Sequence, residues 1–315
     1  MKDLAGANLD KFKDPAVTAK GEARARVALT HPETLWFNTG TLCNIECVNC
    51  YIASSPSNDA LVYISADEVR DYLDQIKARD WPVREIAFTG GEPFMNPQMI
   101  EMTEAALAAG YEVLILTNAM RPMMRKTMQA GLLRLNKTYP GKLTLRISVD
   151  HYRADLHDAE RGEGAFDKTL TGMKWLRDNG FQMAVAGRSV FADSDEDSRA
   201  GYGRFFAEHG FKIDAQDPAK TVLFPEMDES VEVPEITTAC WGILDKSPDA
   251  VMCSSSRMVV KRKGAAAPAV LACTLLPYDP EFELGTTLQE AERDVALNHP
   301  HCAKFCVLGG ASCSA

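Results

Sequence analysis

Between Leu35 and Phe224 strand-like and helix-like segments alternate six times, and this alternation restricts the fold more than any other feature of the chain. Short apolar runs predict strands over 35–38, 85–88, 112–116, 143–149, 182–190 and either 211–213 or 221–224. The first helix opens with a capping box, Ser65 and Glu68, and continues through Val69, Tyr72, Leu73 and Ile76 at helical spacing. Further helices are expected over 97–109, closed by Gly110, over 122–135, over 165–178 and from about 198 to 209. Repeated strand–helix units imply a parallel sheet with right-handed crossovers. The strand at 112–116 is almost wholly apolar, as a strand covered on both faces should be. An open partial barrel of six units and a doubly wound sheet both satisfy the pattern.

In a barrel the loops after the strands' C-terminal ends carry the chemistry. Cys43, Cys47 and Cys50 follow the first strand, spaced by three residues and then two. Three thiolates this close on one loop can hold three corners of a cubane iron–sulfur cluster and leave the fourth iron open. They can also be zinc ligands or three unrelated thiols. Phe88-Thr-Gly-Gly-Glu-Pro93 ends the second strand. Asn118 follows the third, Ser148 and Asp150 end the fourth, and Arg188 lies near the end of the fifth.

From about Pro234 helical periodicity weakens and six of the nine cysteines appear: Cys240, Cys253, Cys273, Cys302, Cys306 and Cys313. The expected division is a tail or strap over 1–33, the barrel over 34–232 and a small cysteine-rich domain over 233–315. That last unit carries too little apolar sequence to fold alone, and metal could supply the missing stability.

With 315 residues the chain can form one large or two smaller domains. No apolar run is long enough for a membrane span, and the first residues lack the core of a signal peptide. A cytoplasmic location is expected, where nine cysteines point to metal or redox chemistry instead of structural disulfides. A net charge of −10 makes nucleic acid an unlikely partner. The basic run Lys261-Arg-Lys263 reads as a solvated turn, and the acidic run at 193–197 as a solvated helix start.

The cysteine triad and, one helix later, Gly90-Gly-Glu-Pro93 together resemble the radical S-adenosylmethionine (SAM) superfamily. The resemblance covers about residues 35–224 and selects the α/β partial (β/α)6 barrel. It implies a [4Fe–4S] cluster on Cys43, Cys47 and Cys50, whose open iron takes the amino and carboxylate groups of SAM. Reductive cleavage of SAM then yields a 5′-deoxyadenosyl radical that abstracts hydrogen from a substrate. The electron would come from a reductant such as flavodoxin or ferredoxin. Gly90 and Gly91 would let backbone carbonyls approach the SAM amino group, and Glu92 would add a charged acceptor. Asn118, Ser148 and Asp150 would contact the rest of SAM, and Arg161 or Arg188 its carboxylate. The family usually has an aromatic residue just before the third cysteine; Asn49 stands here, and backbone atoms or Tyr51 would contact adenine instead.

The C-terminal cysteines resemble the auxiliary-cluster extensions called SPASM or, when shorter, twitch domains. Met258-Val-Val-Lys, a turn with Gly264, and Ala269-Val-Leu-Ala form the expected hairpin between Cys253 and Cys273. The step Cys302-Ala-Lys-Phe-Cys306 departs from the usual Cys-x2-Cys. The simplest fit is a second [4Fe–4S] cluster on Cys253, Cys273 and two of Cys302, Cys306 and Cys313; zinc or free thiols are the alternatives. Cys240, beside Trp241, reads as core. His299 and His301, flanking Pro300 near Cys302, read as surface residues with a ligand role as the alternative, and Met120, Met123, Met124 and Met128 as core packing. An oxidation or crosslink of a small molecule or peptide is the expected reaction. The thirty-odd residues before the barrel are too few for a leader-binding domain, which favours a small molecule or an undecorated peptide. An RNA-modifying member of the family and a non-catalytic iron–sulfur electron-transfer protein are the alternatives.

Overall fold

The computed structural model describes residues 11–191, 193–225 and 231–309. After a short strand β1 (Arg26–Val27), six parallel strands lie side by side in chain order: β2 (Thr34–Asn38), β3 (Glu85–Thr89), β4 (Glu112–Thr117), β5 (Leu143–Ser148), β6 (Gln182–Arg188) and β7 (Thr221–Phe224). A doubly wound sheet would reverse its strand order partway across; this one does not, which is the order of a partial barrel. The last strand is the second of the two expected candidates, because Val185 pairs with Thr221 and Arg188 with Phe224. Phe211 instead packs its ring 5.8 Å from that of Phe205.

The crossover helices are α1 (Ala66–Ala78), α2 (Met99–Ala108), α3 (Lys126–Thr138), α4 (Ala154–Arg161), α5 (Ala165–Asp178) and α6 (Asp195–His209). The capping box of α1 is formed in both directions, Glu68 N–H donating to Ser65 Oγ at 3.2 Å and Ser65 N–H to Glu68 Oε2 at 2.8 Å. Such a cap contributes roughly 1 kcal/mol. Val69, Tyr72, Leu73 and Ile76 form its buried face. Sequence periodicity does not reveal α4. It has eight residues and buries only His157 and Glu160, so it carries no apolar stripe. Met120, Met123 and Met128 are core residues, as expected.

Beyond α7 (Cys240–Leu244), the cysteine-rich region does not stand apart. Strand β8 (Ser256–Val260) adds to the free edge of β2 in parallel, Thr34 opposite Ser256 and Phe37 opposite Val259. Antiparallel β9 (Ala269–Leu271) and β10 (Glu283–Gly285) follow, making one nine-stranded sheet. Every residue of β8 is buried. The thin apolar content of this region is therefore sufficient, because it joins the barrel's core instead of building its own. Antiparallel pairing of β1 with β11 (Val295–Ala296) ties the N-terminal strap to the same region. Arg24 reinforces it with a buried ion pair to Glu235 at 2.5 Å. The basic run at 261–263 is also engaged, Lys261 with Glu68, Arg262 with Glu283 and Lys263 with Asp59. No helix among the described residues is long and apolar enough to cross a membrane.

Candidate active site

The loops after β2 and β3 pack backbone to backbone. Thr39 N–H donates to Thr89 O at 2.8 Å, Gly91 N–H to Gly40 O at 2.8 Å and Glu92 N–H to Leu42 O at 3.2 Å. A Cβ on Gly90 would stand 2.6 Å from Gly40 O, and one on Gly91 2.4 Å from Leu42 O. Gly90 also has φ +143°, a conformation that L side chains rarely adopt. The two glycines are thus required where the cysteine loop rests on the next loop, a packing reason that their sequence alone does not disclose.

Cys43, Cys47 and Cys50 line one cavity of about 1170 Å³ at the C-terminal ends of the strands. Gly90, Gly91, Asn118, Ser148, Asp150, Arg161, Arg188 and Tyr51 share its wall. Of the site residues expected in the barrel, Glu92 alone is not on that wall. Its carboxylate is buried and accepts from Asn118 N–H and Thr117 Oγ1, both at 2.8 Å, and from Phe94 N–H at 3.2 Å. Burial pushes this carboxyl up to about 7, against the opposing pull of those donors. Glu92 thereby fastens the end of β3 to the end of β4.

Asp150 and Arg161, both expected to touch a ligand, bind each other through two hydrogen bonds of 2.7 and 2.9 Å. Burial raises the Asp150 carboxyl, but the Arg161 guanidinium outweighs it and holds the group below the usual range. Arg188 donates through Nη1 to Asn49 O at 2.7 Å, while its buried Nε has no partner among the described residues. Asn49, at the position expected to be aromatic, gives its amide to Glu160 at 2.9 Å, and Val48 N–H donates to Glu160 O at 2.9 Å. The cysteine loop is therefore clamped by α4 and β6. Tyr278 OH adds a bond to Ile52 O at 2.8 Å from the C-terminal side. Burial pushes the Cys43 thiol up to about 12 and raises Cys47 as well. A bound iron would invert that balance and hold thiolates.

A second cavity of about 380 Å³ is lined by Cys253, Cys273, Cys302 and Cys306, brought together from three separate segments. Cys313 lies outside the described residues. Cys302–Leu308 winds as a wide π-type helix, so Cys302 and Cys306, four apart, can face one cavity despite the unusual spacing. Arg257, which sequence reasoning missed, is buried beside this site and donates to carbonyls of Cys253 at 2.6 Å, Ser256 at 2.8 Å and Ala291 at 2.9 Å. Among the described residues no three His, Cys, Asp or Glu converge as ligands of a single ion would. A cubane instead holds its cysteines at separate corners, and both cavities fit that donor set. The expectation for His301 is corrected: it is buried on the second cavity's wall, where burial pushes its imidazole down to about 4. His299 is half-buried. Cys240 lines neither cavity; its sulfur meets Thr237 N–H at 3.4 Å. The two cavities share Leu275, and Phe305, between Cys302 and Cys306, stacks on Phe224 at 5.7 Å in the wall of the larger one.

The arrangement is that of a parallel partial barrel with a three-thiol loop open to a ligand-sized cavity at its strand ends. Residues 37–195 match the family model described as the Radical SAM superfamily, half of the chain. The antilisterial bacteriocin subtilosin biosynthesis protein AlbA of Bacillus subtilis (strain 168) is 35% identical over 150 residues, 47% of this chain and 31% of AlbA. The AdoMet-dependent heme synthase of Methanosarcina barkeri (strain Fusaro / DSM 804) is 30% identical over 164 residues, 50% of this chain and 43% of that protein. The crystal structure of Streptococcus suis SuiB bound to S-adenosylmethionine has the same fold, with a TM-score of 0.59 and 13% identity over 81% of this chain and 63% of SuiB. The chain matches less than half the length of the two curated relatives. It belongs to the radical SAM superfamily.

Proposed function

We propose that this chain is an enzyme that cleaves SAM reductively and modifies a peptide or small molecule by hydrogen abstraction, ending in oxidation or a crosslink. The observation that carries this reading is the single cavity in which three thiols, the Gly90–Gly91 backbone and the Arg188 Nε, which has no hydrogen-bond partner among the described residues, meet. Cys43, Cys47 and Cys50 would hold the first [4Fe–4S] cluster, and Cys253, Cys273, Cys302 and Cys306 a second. The first cluster, when bound with SAM, would supply a one-electron reductive cleavage, and a second cluster would supply an electron acceptor or a grip on the substrate.

This chain's own residues do the rest. Gly90 and Gly91 leave the cavity wall bare of side chains. Arg188 offers its Nε to a carboxylate, and Arg161 neutralises Asp150 and stands close enough to Cys47 to favour its thiolate. Phe224 and Phe305 make an apolar wall that keeps water from a reactive intermediate. A peptide substrate is supported by AlbA, whose name places it in bacteriocin biosynthesis, and by SuiB, solved with its precursor peptide SuiA. A heme synthase among the relatives supports a small molecule. The eight described cysteines are free thiols, which fits a cytoplasmic location.

The test is anaerobic reconstitution, an iron and sulfide count, and addition of dithionite and SAM. About eight irons with 5′-deoxyadenosine formed is the expected result. About four irons with deoxyadenosine would keep the reaction and remove the second cluster. Clusters that never yield deoxyadenosine, with candidate peptides present, would overturn the reading.

A further inference from the structure

Arg257 is a buried cation without a carboxylate. It lies on β8, 1% exposed, four residues after Cys253. Its guanidinium donates to main-chain carbonyls, those of Cys253 at 2.6 Å, Ser256 at 2.8 Å, Ala291 at 2.9 Å and Arg293 at 3.4 Å. Among the described residues it makes no ion pair, and Asp294 attracts it only from an exposed position. Burial pulls the guanidinium down to about 10, which leaves it charged at neutral pH.

A second arginine near the same thiols shows the ordinary arrangement. Burial pushes the Cys302 thiol up to about 12, against a pull from Arg24, and Glu235 neutralises Arg24 through an ion pair at 2.5 Å. Arg257 has the hydrogen bonds but not the carboxylate. Carbonyls satisfy N–H groups without cancelling a charge, and a buried unpaired charge is costly. The group placed to answer it is Cys253, whose thiol burial pushes up to about 11 while Arg257 draws it down. A cubane held by thiolates supplies negative charge at that cavity. The donor set suits a cubane and not a lone ion, because no three ligands converge on one point among the described residues. Four thiols on the wall, unlike the three of the first site, leave such a cubane no open iron.

We propose that Arg257 is the counter-charge of the second cluster and raises its reduction potential, fitting that cluster to take an electron and not to grip the substrate. The inference deepens the proposed function and rests on its second cluster. Reduction adds a negative charge beside a fixed cation, so Arg257 favours the reduced form. Burial leaves that attraction little screened by water or salt. Arg257 is a positioning residue: it acts through the cluster and touches no reacting atom.

The experiment compares the reconstituted protein with Arg257→Gln, which keeps an amide donor without the charge, and Arg257→Lys, which keeps the charge without the fork. Midpoint potentials are read by a redox titration followed by electron paramagnetic resonance. The second cluster's signal is the one that survives alanine at Cys43, Cys47 and Cys50 and is unmoved by SAM. Arg257→Gln should lower the equilibrium constant for reduction roughly tenfold or more, about 60 mV for one electron. Arg257→Lys should recover most of that loss. An equal fall in both variants would give the effect to hydrogen-bond geometry and overturn the proposal, as would no fall in either. Loss of the second cluster in Arg257→Gln with retention in Arg257→Lys supports the need for charge; loss in both makes Arg257 a residue of the fold and overturns the proposal. Zinc in place of the second set of irons also overturns it. If both clusters assemble and deoxyadenosine never forms, the proposed function fails, and the potentials still decide the role of Arg257.

Discussion

Arg161 holds Asp150 in a two-pronged grip, Nε to Oδ2 at 2.7 Å and Nη2 to Oδ1 at 2.9 Å, with side chains 14% and 4% exposed. The pair joins the end of α4 to the loop after β5, next to Cys47. Removing one partner leaves a buried charge alone, which costs about 3–5 kcal/mol. Asp150→Ala should therefore lower unfolding free energy by about that amount in the metal-free protein, measured by urea denaturation. Arg161→Lys should recover only part of the binding of SAM, measured by equilibrium dialysis, because an ammonium cannot make the fork.

Gly91→Ala places a Cβ on Leu42 O, and neither backbone can yield without moving the cysteine loop. A loss of about 1–3 kcal/mol is expected from the overpacking. Iron at the first site should fall sharply while iron at the second site persists. Parallel iron counts on Gly91→Ala and on a glycine outside the site, such as Gly180, would check this; Gly180 is the control for helix-end effects, not for space.

Alanine at Cys43, Cys47 and Cys50 together should abolish SAM cleavage and leave about four irons bound. An iron-free triple variant would remove the second cluster from the proposal. Alanine at Cys253 and Cys302 should do the converse, leaving SAM cleavage measurable with dithionite while substrate turnover is lost.

His157 is buried; burial pushes its imidazole down to about 4, its Nδ1 accepts from Asp150 N–H at 3.2 Å, and its Nε2 has no partner among the described residues. The folded protein therefore binds a proton here less readily than the unfolded chain. Its contribution to stability is complete above about pH 6.5 and is lost as pH falls toward 4, up to roughly 3 kcal/mol. Unfolding free energies measured at pH 7 and pH 5 should differ less in His157→Gln than in the unsubstituted protein. Equal differences would show that other groups set the acid limit.

Much of the barrel was legible because its signals are local. The Ser65–Glu68 cap, the helical stripe of α1 and the apolar run of β4 each lie within a dozen residues. So does the cysteine triad, and the loops that hold it fall on one cavity as the strand–helix pattern implied. Glu92 was legible as a motif member but not in its placement: the three donors that turn it inward come from Phe94, Thr117 and Asn118, two of them at the end of another strand. Arg257 was invisible for a similar reason. A lone arginine in a sequence looks solvated, and only the carbonyls of Cys253, Ser256 and Ala291 gathered around it give its buried donors their partners.

The sequence alone determined the order of strands and helices, the thiol triad and the glycine pair, since periodicity, caps and motif spacing are written in contiguous residues. The tertiary structure decided that β8 would pair with β2, that four cysteines from distant segments would share a cavity, and that Arg161 would meet Asp150. These outcomes depend on which surfaces close against one another when apolar area is buried, and no periodicity along the chain encodes that choice.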